Sequence, residues 1–254
     1  MSVPATEHSV MCAFGESNEF EAFTNLLELY PTGIVSVVSD TYNLWNVLNS
    51  FTDRLKDKIL ARNGKIVFRP DSGDPEKIIC GDPTAPVGSP EYQGALRILA
   101  EKFGTTTNAK GYKLLNDKVG LIYGDGMYFE RVERIFANLR EMGFATSNVV
   151  FGIGGLLLQQ HSRDEQGFAI KATYAEVNGK VRELLKDPVT DPGKKSHKGL
   201  AQLYWDVADS RYKTKDQCTW GEEASGCLTT VFKDGNITKK VTFDQIRKRV
   251  SEGK

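Results

Sequence analysis

The sequence predicts an α/β protein with about four successive β/α units and a smaller β-rich appendage. Up to about residue 165, short apolar segments rich in Val and Ile alternate with longer segments whose apolar residues recur at helical spacing. After that point the pattern changes to alternating residues and hairpin turns. We therefore expect two domains, residues 1–165 and residues 166–254, with a largely parallel sheet and right-handed crossovers in the first.

The first β/α unit follows a predicted loop. Residues 2–9 contain Pro4 and are expected to be irregular. Ser17 is a candidate N-cap for a helix that Pro31 ends. The strand over residues 34–39 ends at Asp40, which is expected to cap the next helix.

The second unit contains the most informative stretch of the chain. A helix over residues 42–61 leads to a strand over residues 65–68, which runs into Arg69-Pro-Asp-Ser-Gly73. Pro70 prevents the strand from continuing, and ligands bind at the carboxyl ends of parallel strands in α/β folds. Arg69 suits a phosphate or a flat ring, and Asp71 suits a sugar hydroxyl or a hydrated metal. An ion pair between them that ties down the loop is the alternative.

The third and fourth units end in glycine-rich turns. A turn-rich excursion over residues 80–90 precedes a helix that begins at Ser89-Pro-Glu91. Strands over residues 119–123 and 148–151 flank a helix that ends near Gly143, and they lead into Gly124-Asp-Gly126 and Gly152-Ile-Gly-Gly155. Glycines at such positions let backbone N–H groups approach a phosphate, although tight turns also use them without a ligand.

The appendage is predicted from two hairpins and a short helix. Residues 168–176 and 181–185 are expected to pair across Asn178-Gly179, and residues 228–242 to turn at Asp234-Gly-Asn236. Thr242-x-x-Gln245 matches a capping box at the start of a final helix.

Composition excludes several classes of function. Lys plus Arg equals Asp plus Glu at 33 each, so no net field favours nucleic acid or a membrane surface. The four cysteines lack metal-ligand spacing. The sequence predicts neither a signal peptide nor a membrane-spanning apolar run of about 20 residues. We expect a cytoplasmic protein with reduced thiols.

The remaining polar residues are ambiguous when taken one at a time. Arg163 either completes a phosphate site or pairs with Asp164, and His8 in its loop is most simply inert. Lys194-Lys195 with Lys198 are expected to form a solvated basic surface. Composition and spacing alone predict an α/β phosphate-binding enzyme and leave its reaction open.

Seven ordered segments carry a resemblance to a known family. They are Ser2-Val-Pro-Ala-Thr-Glu-His-Ser9, Val35-Ser-Val-Val-Ser-Asp40, Arg69-Pro-Asp-Ser-Gly73, Gly111-Tyr-Lys-Leu-Leu115, Gly124-Asp-Gly126, Phe151-Gly-x-Gly-Gly155 and Phe232-Lys-x-Gly-x-x-Thr238. Together they resemble the nicotinamide phosphoribosyltransferases over nearly the whole chain, but only over the C-terminal part of that family's chain. The resemblance implies part of a (β/α) barrel of the type II phosphoribosyltransferase kind, with the phosphoribosyl site in residues 1–165.

The resemblance also implies the reaction and its cofactors. Members transfer a phosphoribosyl group from 5-phosphoribosyl-1-pyrophosphate to nicotinamide, giving nicotinamide mononucleotide and pyrophosphate in NAD salvage. They use Mg²⁺, whose ligands in this chain are left unassigned. ATP acts as an activator by phosphorylating a histidine.

Site residues carried over from the family fall into two groups. The catalytic group is His8 (phosphorylated by ATP), Arg69 (near the pyridine ring and pyrophosphate) and Asp71 (near the ribose). Further substrate-binding positions are Ser36, Asp40, Gly124, Asp125, Gly155 and Arg163.

Because the resemblance covers only the C-terminal part of the family's chain, the assembly and two other functions stay open. Family members are homodimers with the site at the subunit interface, so we expect a homodimer, a separately encoded N-terminal half, or both. A half-barrel exposes two sheet edges, which favours such assembly. The alternatives are nicotinate phosphoribosyltransferase activity and a non-catalytic nucleotide-binding subunit that keeps the fold.

Overall fold

The computed structural model describes residues 2–157, 161, 165 and 168–253. The helices are α1 (His8–Phe14), α2 (Glu19–Leu29), α3 (Leu44–Asn46), α4 (Thr52–Ala61), α5 (Pro75–Cys80), α6 (Pro90–Phe103), α7 (Phe129–Glu141), α8 (Trp220–Ala224) and α9 (Phe243–Ser251). The strands are β1 (Thr32–Val38), β2 (Asn63–Arg69), β3 (Thr105–Thr107), β4 (Lys113–Leu115), β5 (Val119–Tyr123), β6 (Val149–Phe151), β7 (Tyr174–Val177), β8 (Lys180–Glu183), β9 (Gln202–Asp206), β10 (Arg211–Lys215), β11 (Phe232–Lys233) and β12 (Asn236–Ile237).

A parallel sheet of four strands forms the centre of the α/β part. Its order is β1-β2-β5-β6, and all three strand pairs are parallel. The register places Val38 opposite Arg69 and Tyr123 opposite Phe151. The strand ends that carry the predicted site residues therefore lie at one edge of the sheet, and the mixed α/β prediction with a parallel sheet is confirmed.

The core lies between this sheet and its helices. Large apolar side chains from helix and strand are almost fully buried together; they include Phe23, Leu48, Phe68, Leu99, Leu121 and Ile135. Each such side chain contributes about 1.5–3 kcal/mol on burial. This packing holds the strand ends in place.

The first 45 residues differ from the prediction at two points. Helix α1 begins at His8, inside the stretch expected to be a loop. The helix after β1 is capped by Asn43, whose side chain accepts a hydrogen bond from the Asn46 N–H, and not by Asp40. Asp40 is fully buried and binds the neighbouring β2 turn instead. The segment over residues 44–61 also contains a π-helical stretch, Val47–Phe51, between α3 and α4.

The segment between β2 and β5 contains elements that were not predicted. Helix α5 is capped by Asp74 with Pro75 at its first turn, and strands β3 and β4 form an antiparallel hairpin. The predicted start of α6 is confirmed, since Ser89 Oγ accepts from the Tyr92 N–H. Gly94 bends α6 with a φ of 76°, and a Cβ there would lie 2.3 Å from the Gly81 nitrogen.

The chain divides into two compact units, Met1–His197 and Lys198–Lys254. The division lies later than the expected boundary at 165/166, because residues 184–197 hydrogen-bond to the α/β part. The predicted hairpin of β7 and β8 is present, with positive φ at both Asn178 and Gly179. It belongs to the first unit.

The second unit contains two hairpins and two short helices. Strands β9 and β10 pair antiparallel, which was not predicted, whereas β11 and β12 pair across Asp234-Gly235 as expected. Both side chains of the predicted capping box, Thr242 and Gln245, bind the opposite backbone N–H at the start of α9. In the described part of the chain, every helix is too short or too polar to cross a bilayer.

Candidate functional site

Residues 184–197, here called the strap, lie over the carboxyl ends of β1 and β2. The Asp187 N–H donates to the Thr41 carbonyl at 3.0 Å, and the Val189 N–H donates to the Tyr42 carbonyl at 2.8 Å. The hydroxyls of Thr190 and Ser72 are 2.5 Å apart. Hydrogen bonds between distant parts of the chain therefore attach the strap to the edge of the sheet where ligands bind in α/β folds.

A buried carboxylate holds the turn that carries Asp71. Asp40 Oδ2 accepts from the Asp71 N–H at 2.7 Å and from Ser72 Oγ at 2.5 Å. The Tyr123 hydroxyl donates to the carbonyls of Ser72 and Gly73 at 2.9 and 3.0 Å. These bonds join β1, β2 and β5, so the position of the Asp71 side chain is set by three strands.

His8 contacts several polar side chains and is not an inert surface residue. Its Nδ1 lies 3.1 Å from Thr41 Oγ1, and its Nε2 lies 2.9 Å from Lys186 Nζ. The same Nε2 is 3.5 Å from Asp71 Oδ2 and 3.9 Å from Asp40 Oδ1. Only 16% of the side chain is exposed. Helix α1 places the imidazole between the strap and the sheet.

Lys194 connects two of the predicted site residues. Its ammonium donates to the Asp71 carbonyl at 3.0 Å and forms an ion pair with Asp125. The side chain is 24% exposed, whereas that of Lys195 is 59% exposed. The prediction that both lysines belong to a solvated basic surface is therefore wrong for Lys194.

The charges at this edge shift one another's pKa values. Burial raises the pKa of Asp71, but the hydrogen bond from His8 and the nearby lysines outweigh it, and the net pKa falls below 3.8. Burial lowers the pKa of Lys186 below 10.5, against the pull of Asp40 and Asp71. For Lys194, burial is outweighed by the hydrogen bond and charge of Asp125, so its pKa rises above 10.5. Asp71 is thus held as a carboxylate and Lys194 as an ammonium.

These side chains surround one cavity of about 910 Å³. His8, Asp71 and Asp125, all predicted site residues, line it together with Lys186 and Lys194. The two lysines were not assigned to a site. In the sequence, each lysine is marked only by a nearby Asp-Pro turn after the predicted hairpin. Such a position does not distinguish a buried lysine from a solvated one.

Arg69 and the glycine turns lie beside the cavity. Arg69 Nη2 pairs with Glu7 Oε1 at 3.1 Å, so the ion pair of Arg69 is with a residue that lines the cavity and not, as in the alternative interpretation of the sequence, with Asp71. A Cβ on Gly124 would lie 3.9 Å from Asp71 Oδ1, and one on Gly152 only 2.8 Å from the Gly124 Cα. The two glycine turns therefore meet next to Asp71.

Three other predicted positions have less direct evidence. Ser36 is buried within β1, and its backbone bonds to Pro4 and Thr6. Gly155 is exposed and begins a single 3₁₀ turn. Arg163 lies outside the described residues. Their assignment to the substrate site stays a prediction.

Comparison with known proteins decides the family. The sequence model of the nicotinate phosphoribosyltransferase (NAPRTase) family matches residues 1–236. The chain belongs to this family. Three relatives of this chain are each named nicotinamide phosphoribosyltransferase. The protein of Acinetobacter baylyi is 50% identical over 260 residues, which cover 99% of this chain and 51% of the relative.

The other two relatives are more distant. The protein of Mycoplasma pneumoniae is 42% identical over 80% of this chain and 46% of its own length. That of Xanthomonas campestris pv. campestris is 35% identical over 97% of this chain and 51% of its own length. This chain thus spans about half the length of the curated relatives that it matches.

Proposed function

We propose that this chain carries the phosphoribosyl-transfer site of a nicotinamide phosphoribosyltransferase. The reaction is the transfer of the phosphoribosyl group from 5-phosphoribosyl-1-pyrophosphate to nicotinamide, giving nicotinamide mononucleotide and pyrophosphate. The observation that carries the proposal is that His8, Asp71 and Asp125 line one cavity with two lysines. A relative named for this activity is 50% identical over 99% of the chain.

The charges around the cavity suit this reaction. As the bond between the anomeric carbon and pyrophosphate breaks, positive charge develops on the ribose and negative charge on the leaving group. The Asp71 carboxylate, held ionised, stabilises the cationic sugar. Lys186, Lys194 and Arg69 would supply the positive charge that neutralises pyrophosphate. The ring nitrogen of nicotinamide is a free nucleophile, so no residue needs to remove a proton from it.

Mg²⁺ and ATP are the proposed cofactors. Asp40 Oδ1 is buried without a hydrogen-bond partner among the described residues, and the same part of the chain contains no cluster of three or more potential metal ligands. A pair of carboxylates, Asp40 and Asp71, fits Mg²⁺, which is commonly held by one or two carboxylates together with substrate phosphates. Asp40 and Asp71 would hold the ion, which neutralises the pyrophosphate. ATP would phosphorylate His8, and the added charge would order the substrate site.

The site is proposed to be completed by a further half of the protein. Strand β6 is an edge of the described sheet, and Val150 on it is 58% exposed. A second set of strands would continue this sheet into a closed (β/α) barrel, supplied by a separately encoded N-terminal half or by homodimer formation. A cytoplasmic location accords with four cysteines that are all free thiols.

A steady-state assay tests the proposal. The purified chain, alone and with the part of its relatives that it does not cover, is given nicotinamide and 5-phosphoribosyl-1-pyrophosphate, and mononucleotide is measured. Asp71→Ala is expected to lower kcat/KM by roughly a hundredfold or more, because it removes the carboxylate from the developing charge. Asp57→Ala, at an exposed helical carboxylate, is the matched control. If no mononucleotide forms in either setting, or if Asp71→Ala retains full activity, the proposal is wrong.

Two alternatives are each favoured by one observation. The family name favours nicotinate as the substrate, and competition between nicotinate and nicotinamide in the same assay decides between them. The half-length match favours a non-catalytic nucleotide-binding subunit. That alternative predicts calorimetric binding of 5-phosphoribosyl-1-pyrophosphate without turnover.

A further inference from the structure

We propose that Thr190 of the strap is a positioning residue that acts through Ser72 on the buried Asp40 carboxylate. It keeps Oδ2 of that carboxylate bound to the turn after β2 and leaves Oδ1 free on the side of His8. The consequence for metal binding rests on the proposed function, in which Asp40 and Asp71 hold Mg²⁺. The chain of hydrogen bonds does not depend on that function, so the two are tested separately.

Two hydroxyls and a carboxylate form a chain of hydrogen bonds that has one direction. Ser72 Oγ donates to Asp40 Oδ2 at 2.5 Å. A serine hydroxyl has a single proton, so the Ser72 oxygen is the acceptor for Thr190 Oγ1, which lies 2.5 Å away. Thr190 is therefore the donor at the start of the chain. A bond accepted by the Ser72 oxygen polarises its O–H and strengthens the bond to Asp40.

Hydrogen bonds fix the plane of the Asp40 carboxylate, because the last torsion of an aspartate side chain has only a broad preference. Oδ2 accepts from Ser72 Oγ and from the Asp71 N–H, and the residue is fully buried. Oδ1 has no hydrogen-bond partner among the described residues and lies 3.9 Å from His8 Nε2. The bond from Ser72 thus decides which oxygen is bound to the turn and which stays available to a cation.

The strap holds both partners of this contact. The Asp187 N–H and the Val189 N–H donate to the two carbonyls that directly follow Asp40 in the chain. One residue later, the Thr190 hydroxyl reaches Ser72. The same four residues of the strap therefore bind the segment after β1 and the turn after β2, and they fix the distance between the two.

Gly73 allows the strap to approach the turn closely. A Cβ on Gly73 would lie 3.0 Å from the Thr190 carbonyl oxygen, and the φ of Gly73 is 87°, which favours glycine. The Tyr123 hydroxyl donates to the carbonyls of Ser72 and Gly73. The turn cannot move away from Thr190 without breaking these bonds, so the fully buried Ser72 side chain stays within reach of the Thr190 hydroxyl.

The chain of hydrogen bonds is tested by amide hydrogen exchange, measured by NMR on the full ¹⁵N-labelled chain without metal. Thr190→Ala removes the hydroxyl, whereas Thr190→Ser keeps it and removes only the methyl group. We expect exchange of the Asp71 N–H to become about fivefold faster or more in Thr190→Ala, since its acceptor Asp40 is held less firmly. Thr190→Ser is expected to restore the wild-type rate. Thr107→Ala, at an exposed threonine of β3, is the matched control and should leave the rate unchanged.

A double-mutant cycle tests whether Thr190 acts through Ser72. Ser72→Ala should itself speed exchange of the Asp71 N–H, and adding Thr190→Ala should have no further effect because the intermediate hydroxyl is gone. Additive effects of the two substitutions would overturn the inference, as would an Asp71 rate that is unchanged in Thr190→Ala or not restored by Thr190→Ser. Circular dichroism checks that each variant is folded. If Thr190→Ala is not, Thr190→Val, which also lacks the donor, replaces it and the same outcomes decide.

The consequence for the metal is tested with Mn²⁺ as the probe, in the presence of pyrophosphate, by electron paramagnetic resonance of the free ion. We expect Thr190→Ala to weaken Mn²⁺ binding about threefold or more, because residues that orient a metal ligand tune the affinity, and Thr190→Ser to bind like wild type. Equal Mn²⁺ affinities of wild type and Thr190→Ala contradict the positioning role. Absence of Mn²⁺ binding to wild type contradicts the metal site of the proposed function, while the exchange rates still decide the chain of hydrogen bonds.

Discussion

Adjacent lysines in the strap should differ sharply in their contribution to stability. We compare Lys194→Met with Lys195→Met, which remove the same charge from neighbouring positions. Lys194 donates to the Asp71 carbonyl and pairs with Asp125 inside the cavity. Lys195 pairs with Asp187 where both side chains are largely exposed, at 59% and 37%. The sequence around these two lysines does not predict a difference between them.

The expected magnitudes follow from these contacts. A hydrogen bond from a charged donor contributes about 1.5–3 kcal/mol, and a partly exposed ion pair adds at most about 1 kcal/mol. Lys194→Met is therefore expected to cost roughly 2–3 kcal/mol, and Lys195→Met below about 1 kcal/mol. For a unit of this size each kcal/mol lowers Tm by about 2–4 °C, so Lys194→Met should lower Tm by roughly 4–12 °C.

Thermal unfolding by circular dichroism measures the difference, and its pH dependence provides a second check. The folded pKa of Lys194 is raised, so its stabilisation is fully present below about pH 10.5 and is lost only as the pH rises through the folded value. The effect of Lys194→Met should therefore be constant between about pH 6 and 9. Equal Tm losses for the two variants, or an effect of Lys194→Met that disappears within this range, would refute the reasoning.

Three further predictions concern the turns and charges that support the site. Gly152→Ala places a Cβ 2.8 Å from the Gly124 Cα and should cost about 1–3 kcal/mol, whereas Gly154→Ala, with open space around it, should be nearly neutral; urea unfolding of both variants checks this. Arg62→Met removes hydrogen bonds from a buried guanidinium to three backbone carbonyls and should cost about 3 kcal/mol or more, seen as a lower urea midpoint with an unchanged slope. Asp71 has a lowered folded pKa, so Asp71→Asn should be less stable than wild type above about pH 4, and the difference should shrink as the pH falls below that value; a gap that widens in acid would contradict the assignment.

Local signals predicted many elements of the fold. Strand β5 has the predicted bounds, and the Ser89 cap and the Thr242 capping box are present as expected. Helix α1 and hairpin β3–β4 were missed because they are short and lack apolar periodicity. Asp40 is of a residue type that often caps helices, but its carboxylate accepts hydrogen bonds from the Asp71 N–H and Ser72 Oγ in the turn after β2 instead. A short window of sequence does not predict whether a side chain will hydrogen-bond to a neighbouring residue or to one that is distant in the chain.

Part of the candidate site was also accessible from the sequence. Asp71 was predicted from its position at the end of a strand as well as from the family resemblance, which also assigned His8 and Asp125 to the site. The structure brings these three residues to one cavity. Lys186 and Lys194 were missed. Each is identified only by its contacts across the fold, and the partner of Lys186 is 178 residues away in the chain.

The sequence by itself determined the alternation of strands and helices, the turns that need glycine or asparagine, and the family. These follow from local backbone preferences and from side-chain periodicity, which act over a few residues. Only the tertiary structure decided which charges are buried, which carboxylate holds the Asp71 turn, and which of two adjacent lysines lies in the cavity. Burial and hydrogen bonding depend on residues that packing brings together from distant parts of the chain, so their energies are set after the fold has formed.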